Sequence, residues 1–135
     1  MRQRLLHKDI TDKTIKAFYY VYNKLGYGFL EKVYENALVI VLRKSGLIVA
    51  QQVPIKVHFD GELVGDYYAD LAINNCVIVE VKVAESITEA HEAQLINYLK
   101  ATDTEVGLLL NFGPKPEFRR KVFSNARKMS KDDFG

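Results

Sequence analysis

Glu80 and Lys82 stand one residue apart in the apolar run Val77-Ile78-Val79-Glu80-Val81-Lys82. A carboxylate and an ammonium among β-branched residues are costly to bury unless something pairs with them. In a strand, side chains alternate, so Glu80 and Lys82 share a face with Ile78. Val79, Val81 and Val83 take the other face and read as core. Asp70 precedes this run, across Leu71-Ala72-Ile73 and a polar turn. Its placement depends on the turn. A loop of Asn74–Cys76 pairs Ile73 with Val77 and sets Asp70 opposite Glu80. A loop of Asn74-Asn75 alone sets Asp70 opposite Val79, on the face away from Glu80. The first register gathers the charges and is the one expected. Two carboxylates about 5 Å apart repel by roughly 3 kcal/mol at an effective dielectric of about 20. A divalent cation reverses the sign of that interaction. Oxygen ligands suit Mg²⁺ or Mn²⁺ rather than zinc.

The elements that must hold these residues follow from periodicity. Ile15, Phe18, Tyr19, Tyr22 and Leu25 mark a helix from about 11 to 25, with Thr11 or Asp9 as cap and Gly26 as stop. A second helix from about 29 to 45 places Leu30, Val33, Tyr34, Ala37, Leu38, Val41 and Leu42 on a wide apolar face, ended by Gly46. Glu31 lies in its first turn, where the helix dipole favours a carboxylate. The period then changes to two. Val53, Ile55, Val57 and Phe59 alternate with Pro54, Lys56 and a solvated His58, and Asp60-Gly61 signals a hairpin. Pro54 places this strand at an edge or makes it a strand start. The return strand runs through Gly65, Tyr67 and Tyr68 to Asp70, and Val77–Val83 completes a three-strand meander.

Ser86-Ile-Thr-Glu89 has the capping-box pattern and predicts a helix that starts between Ser86 and Thr88 and runs to about Ala101, with Ala93, Ile96 and Leu99 as core contacts. Gln94 and Tyr98, four apart, share a face. His91 reads as exposed, and no partner stands at zinc spacing from it. Val106-Gly-Leu-Leu-Leu-Asn-Phe112 reads as a strand buried on both faces and reached by a crossover. Phe118-Arg-Arg-Lys-Val-Phe123 reads as an edge strand with a basic side. The expected order is α-α-β-β-β-α-β-(β), an α/β (α+β) domain with a mixed sheet flanked by helices.

The chain has 135 residues, 48% hydrophobic and 27% charged, with a net charge of +2. That length predicts one domain, with a core over about 10–123 and a polar, frayed tail from about Arg127. The weak charge neither demands nor excludes nucleic acid. The single Cys76 excludes an internal disulfide and reads as a small buried or turn residue. No apolar run reaches about 18 residues, and Met1–His7 lacks the apolar centre of a signal peptide, so a cytoplasmic protein without membrane contact is expected.

Gly28-Phe-Leu-Glu31-Lys-Val-Tyr34 matches a G-x-x-E-x-x-Y signature. With Gln52-Val-Pro, Gly65 through Asp70-Leu71, Val79-Glu80-Val81-Lys82, Gln94-x-x-x-Tyr98 and Gly107–Phe112, the chain resembles the GxxExxY family. That family is a branch of the PD-(D/E)XK nuclease superfamily. The resemblance spans roughly residues 10 to 123. It implies a restriction-endonuclease-like core, α-β-β-β-α-β, which is also the order read from periodicity.

The resemblance further implies that Asp70 and Glu80 hold the metal with help from the Val81 carbonyl. Lys82 would orient or activate the attacking water, and Glu31 would support the metal site or Lys82. Gln94 and Tyr98 would position substrate or the lysine. Many relatives carry His where this chain has Tyr22, which is read here as packing. Arg119, Arg120 and Lys121 are candidate phosphate contacts or a solvated edge.

The implied chemistry is metal-dependent hydrolysis of phosphodiesters, with DNA the expected partner and a homodimer expected if both strands of a duplex are cut. Two other readings compete. One is a nuclease-fold module that binds nucleic acid or a protein without cutting. The other is a structural salt-bridge network in which Lys82 pairs with Glu80 or Asp70.

Overall fold

The computed structural model describes residues 6–128. Met1–Leu5, including most of the segment judged to lack a signal peptide, and the tail 129–135 lie outside the described residues. Helices α1 (Lys8–Leu25) and α2 (Glu31–Lys44) come first. Strands β1 (Val49–Phe59), β2 (Glu62–Ile73) and β3 (Val77–Lys82) follow, then α3 (Glu89–Lys100), β4 (Val106–Phe112) and β5 (Pro116–Val122). A short 3-10 turn, Asn125–Arg127, closes the described chain.

The helix ends show which local signals won. α1 starts earlier than expected, behind His7 in a left-handed conformation (φ 55°) and with no side-chain cap. Thr11 is not the cap. It is buried inside the helix, and its hydroxyl donates to the Lys8 carbonyl at 3.1 Å. Gly26, at φ 71°, stops α1. α2 ends in a Schellman turn: Gly46 at φ 87° donates to Arg43 O, and Leu47 N–H donates to Leu42 O at 3.1 Å. Leu42 and Leu47 are both buried there. The buried stripe of α2 is Tyr34, Glu35, Leu38, Val39 and Leu42. Leu30 and Val33, expected in that stripe, are exposed, because Leu30 is still extended and the stripe begins one turn later.

α3 is capped at the late end of the expected range, two residues after Ser86. Thr88 is the N-cap, its hydroxyl accepting from His91 N, and the His91 imidazole accepts from Thr88 N at 3.1 Å. His91 thus fills the position usually taken by Glu or Gln in a capping box and is half-buried rather than exposed. Leu95, Tyr98 and Leu99 are the buried residues of α3, whereas Ala93 is exposed.

The sheet has five strands in chain order, β1-β2-β3-β4-β5. β1, β2 and β3 form an antiparallel meander. α3 carries the chain across to β4, which pairs parallel with β3, and β5 returns antiparallel. Asp60 and Gly61, at φ 50° and 79°, make the two-residue turn of the β1–β2 hairpin. Pro54 lies on edge strand β1, and β4 is buried throughout. One core lies between the sheet and α1 and α2, with Phe18, Tyr34, Leu38, Leu71, Val79, Val81 and Phe112. A second lies under α3, with Ile55, Ala69, Ile78, Leu95, Tyr98, Leu99 and Leu109. The expected core order α-β-β-β-α-β is present, with α1 and β5 added. At the C-terminal end of the described residues, the Lys128 ammonium donates to the Thr102 and Thr104 carbonyls at 2.8 Å each, and the rest of the expected polar tail lies outside the described residues.

Candidate active site

Ile73 pairs with Val77 and Leu71 with Val79, the register that sets Asp70 opposite Glu80. The turn Asn74-Asn75-Cys76 supplies two left-handed residues, at φ 51° and 55°. The β2–β3 ladder stops at Leu71–Val79, although β2 continues beside β1 and β3 beside β4. The two strands therefore part. Side chains bridge the gap: Asp70 N–H donates to Glu80 Oε2 at 2.7 Å, and Val81 N–H donates to Asp70 Oδ2 at 2.8 Å. Each carboxylate satisfies one main-chain donor and keeps its second oxygen for other partners.

A second irregularity falls at the same point. Val49 and Leu71 belong to the core against α1 and α2, while Ile55 and Ala69 belong to the core under α3. These residues have the same parity, so β1 and β2 change faces between them. The change coincides with Gln52, at φ 53°, and Asp70 opposite it; both are skipped in the ladder between Gln51–Leu71 and Val53–Ala69. Glu35 of α2 pins this break in the ladder. It is buried and accepts from Gln51 Nε2 at 2.9 Å and from Gln52 Nε2 at 3.2 Å, with Lys32 at 3.1 Å. Gln52 also lies near enough to Asp70 to favour its charged form, a minor influence against burial. Sequence reasoning passed over Glu35. The available signal was its position four residues after Glu31, on the same helix face.

From the other side, α3 supplies Gln94 and Tyr98. Lys82 Nζ donates to Gln94 Oε1 at 3.4 Å and stands 3.9 Å from Glu80 Oε1. The chain just after Lys82 is clamped. Buried Asn111 of β4 donates to Ala84 O and accepts from Ala84 N, both at 2.9 Å. Gly113 lets that loop approach, since a Cβ there would lie 1.9 Å from Ala84 O. Tyr34 of the G-x-x-E-x-x-Y segment serves the loop before α2. It donates to Gly26 O at 2.6 Å, accepts from Phe29 N at 3.1 Å and stacks on Phe112. Tyr22 donates to the Gly113 and Pro114 carbonyls and packs on Phe112, so it braces this end of the fold from outside the carboxylate cluster.

The charges are mutually perturbed. Burial pushes Glu80 up to about 7, helped by Asp70 and opposed by the Asp70 N–H and Lys82. Burial also raises Asp70, against the Val81 N–H and Lys82. Glu31 is raised by desolvation at its carboxyl and by Asp70, although the residue as a whole is exposed. Burial, Glu80 and Asp70 push the Tyr98 hydroxyl up to about 12. Asp70, Glu80, Lys82, Glu31, Gln94 and Tyr98 thus form one cluster, fed by α2 from one face and α3 from the other through the gap between strands.

This donor set fits a hard divalent cation: two crowded carboxylates, Glu80 buried and Asp70 half-buried, each with one oxygen outside the reciprocal main-chain bonds. Among the described residues no group of three or more His, Cys, Asp or Glu could hold an ion unaided, so main chain, water or substrate must complete the shell. Arg119 and Arg120 stay apart from the cluster. Arg119 lies in the row Glu80–Leu109–Arg119, two strands away, paired with Glu117 at 3.8 Å. Arg120 has the opposite parity and donates to the Leu6 carbonyl near α1. Lys121 pairs with Glu92 of α3. A groove of about 650 Å³ between α1 and α2, rimmed by Lys13, Lys16, Lys24 and Lys44, includes none of the cluster residues. Among the described residues no helix is long and apolar enough to cross a membrane.

Residues 8–121 match the family described as the PD-(D/E)XK nuclease superfamily. The structure is similar to that titled "Crystal structure of SSO0001", with a TM-score of 0.56 and 18% identity over 77% of this chain. The chain spans about half of that one, 54%. The likeness shows the fold, an α+β mixed sheet of restriction-endonuclease type. No curated protein matches the chain.

Proposed function

We propose, for a chain that belongs to the PD-(D/E)XK nuclease superfamily, that the gap between β2 and β3 is a centre for metal-dependent hydrolysis of phosphodiester bonds in DNA. Superfamily members generally use divalent metals, and Mg²⁺ or Mn²⁺ is the ion proposed here. The observation that carries the reading is the reciprocal bonding of Asp70 and Glu80 across parted strands, beside Lys82. The G-x-x-E-x-x-Y segment, with Glu31 facing Asp70 and Tyr34 fixing the loop, supports membership of the GxxExxY branch.

Asp70 Oδ1, Glu80 Oε1 and the Val81 carbonyl are the proposed ligands. The bound ion supplies charge neutralisation and a lowered pKa for the attacking water. Lys82, held by Gln94, orients that water and stabilises charge on the phosphoryl oxygens as the P–O ester bond breaks. Glu31, whose carboxyl feels both Asp70 and Lys82, supports the metal site or Lys82 from α2. Tyr98 remains a neutral hydroxyl at working pH and donates a hydrogen bond to substrate. Arg119, on the sheet face of Glu80, draws the flanking backbone by charge. The Lys82–Glu80 separation of 3.9 Å is long for an ion pair formed only for stability.

Labelled single- and double-stranded DNA incubated with Mn²⁺, Mg²⁺ or EDTA tests this directly. Cleavage that needs the metal and is lost in Lys82→Ala and Asp70→Ala is expected. The engagement of Lys82 by Glu80 and Gln94 favours a second reading, a binding module of nuclease fold. Metal binding and DNA binding without cleavage by the folded wild type would establish it instead.

A further inference from the structure

We propose that Tyr67 is a stacking platform for an unpaired base next to the phosphate held at Asp70 and Glu80, which makes the substrate single-stranded nucleic acid. This rests on the phosphodiesterase reading above. Tyr67 pairs with Ile55 across the β1–β2 hairpin, so it projects toward the side that carries Tyr98. Ile55 is covered by α3, but Tyr67 lies beyond it and is 47% exposed. Its ring nevertheless has fixed neighbours. The Tyr98 ring lies 5.9 Å away, tilted by 40°. Gly65 leaves room on the strand, since a Cβ there would come within 2.7 Å of the Tyr67 ring. An aromatic ring braced in this way while half exposed has no evident use in the core.

The position suits a base. Tyr67 stands three residues from Asp70, about 10 Å along a strand. That is the reach from a phosphate to the base of an adjoining nucleotide. The nearest charges on the strand do not compete, because Asp66 has the opposite parity and pairs with Lys56 at 3.5 Å. Stacking on an aromatic tolerates every base, because each has a π-face. It excludes a base inside a duplex, where both faces are already covered. Tyr67 and Tyr98 therefore give the centre a preference for strand form without a preference for sequence.

The test measures the affinity of Lys82→Ala protein, which leaves substrate intact, for three labelled probes. These are an oligothymidylate, an abasic oligomer of equal length, and a duplex. The oligothymidylate is expected to bind about 5- to 100-fold tighter than the abasic strand. Adding Tyr67→Ala should erase that ratio, Tyr67→Phe should keep it, and duplex affinity should not move. The abasic arm separates stacking from any loss of folding, which would lower all three affinities together. An oligothymidylate-to-abasic ratio near one, or a ratio unchanged by Tyr67→Ala, overturns the inference while leaving cleavage by the wild type intact. Cleavage absent from the wild type, with the ratio present and sensitive to Tyr67, overturns hydrolysis and leaves the platform standing.

Discussion

Glu80 sits where burial and a neighbouring carboxylate both oppose its charge, and its pKa of about 7 against an ordinary 4.5 measures that conflict. In the metal-free protein the folded state gains from protonation of this group. The gain is complete below about pH 4.5 and is lost as the pH rises through 7. The shift corresponds to roughly 3 kcal/mol. The side chain is only 5% exposed, so solvent screening does little to reduce it. Denaturant unfolding in EDTA should therefore show stability falling by that order between pH 4.5 and 8. Glu80→Gln should flatten the fall. An equal slope in both proteins would place the titration elsewhere.

At the scale of elements, the centre depends on how strand ends are held. The Ala84 loop that follows Lys82 is fixed by Asn111 and seated against Gly113. Gly113→Ala would push a methyl group onto a main-chain oxygen, and the loop or β4 must move. About 3 kcal/mol of destabilisation is expected, with loss of cleavage from the displaced Lys82. Gly107→Ala is the comparison. The three atoms nearest its Cβ are side-chain carbons of Leu95, the closest at 2.7 Å, which can adjust in part. A smaller loss, about 1 kcal/mol, is expected there. Urea midpoints of the two variants check the order, and equal losses would show that Ala84 yields as easily as Leu95.

For the molecule as a whole, a metal that binds only the folded chain stabilises it by mass action. At a hundredfold excess over Kd the gain is about 2.7 kcal/mol, on the order of a 10 °C rise in Tm for a domain of this size. Mn²⁺ should produce that rise in the wild type and not in Asp70→Ala. The net charge of +2 is dispersed, with four lysines along the α1–α2 groove and Arg119 and Lys121 engaged by Glu117 and Glu92. On the proposed nuclease reading, substrate capture would rely on the cluster and its surroundings more than on a dense basic face.

Local periodicity determined much of this in advance. The 3.6 and 2.0 periods set the order of helices and strands, Asp60-Gly61 set the hairpin, and alternation put Glu80 and Lys82 on one face. The cost of scattering charges chose the Asn74–Cys76 register. The start of α3 was fixed only to between Ser86 and Thr88 because the two are equivalent as local signals, and the folded chain caps it with Thr88 and His91 rather than with Glu89. Glu35 was missed because a carboxylate on a helix reads as solvated until a partner buries it. Tertiary structure alone decided that β2 and β3 part beyond Leu71 and Val79, and that β1 and β2 change faces at Gln52 and Asp70. An intact sheet would keep α2 and α3 in separate layers. The opening between its strands lets Glu31 and Glu35 from one layer and Gln94 and Tyr98 from the other act on the same carboxylates. No pattern local to one strand encodes where two strands separate, because that is set by what packs on both of their faces.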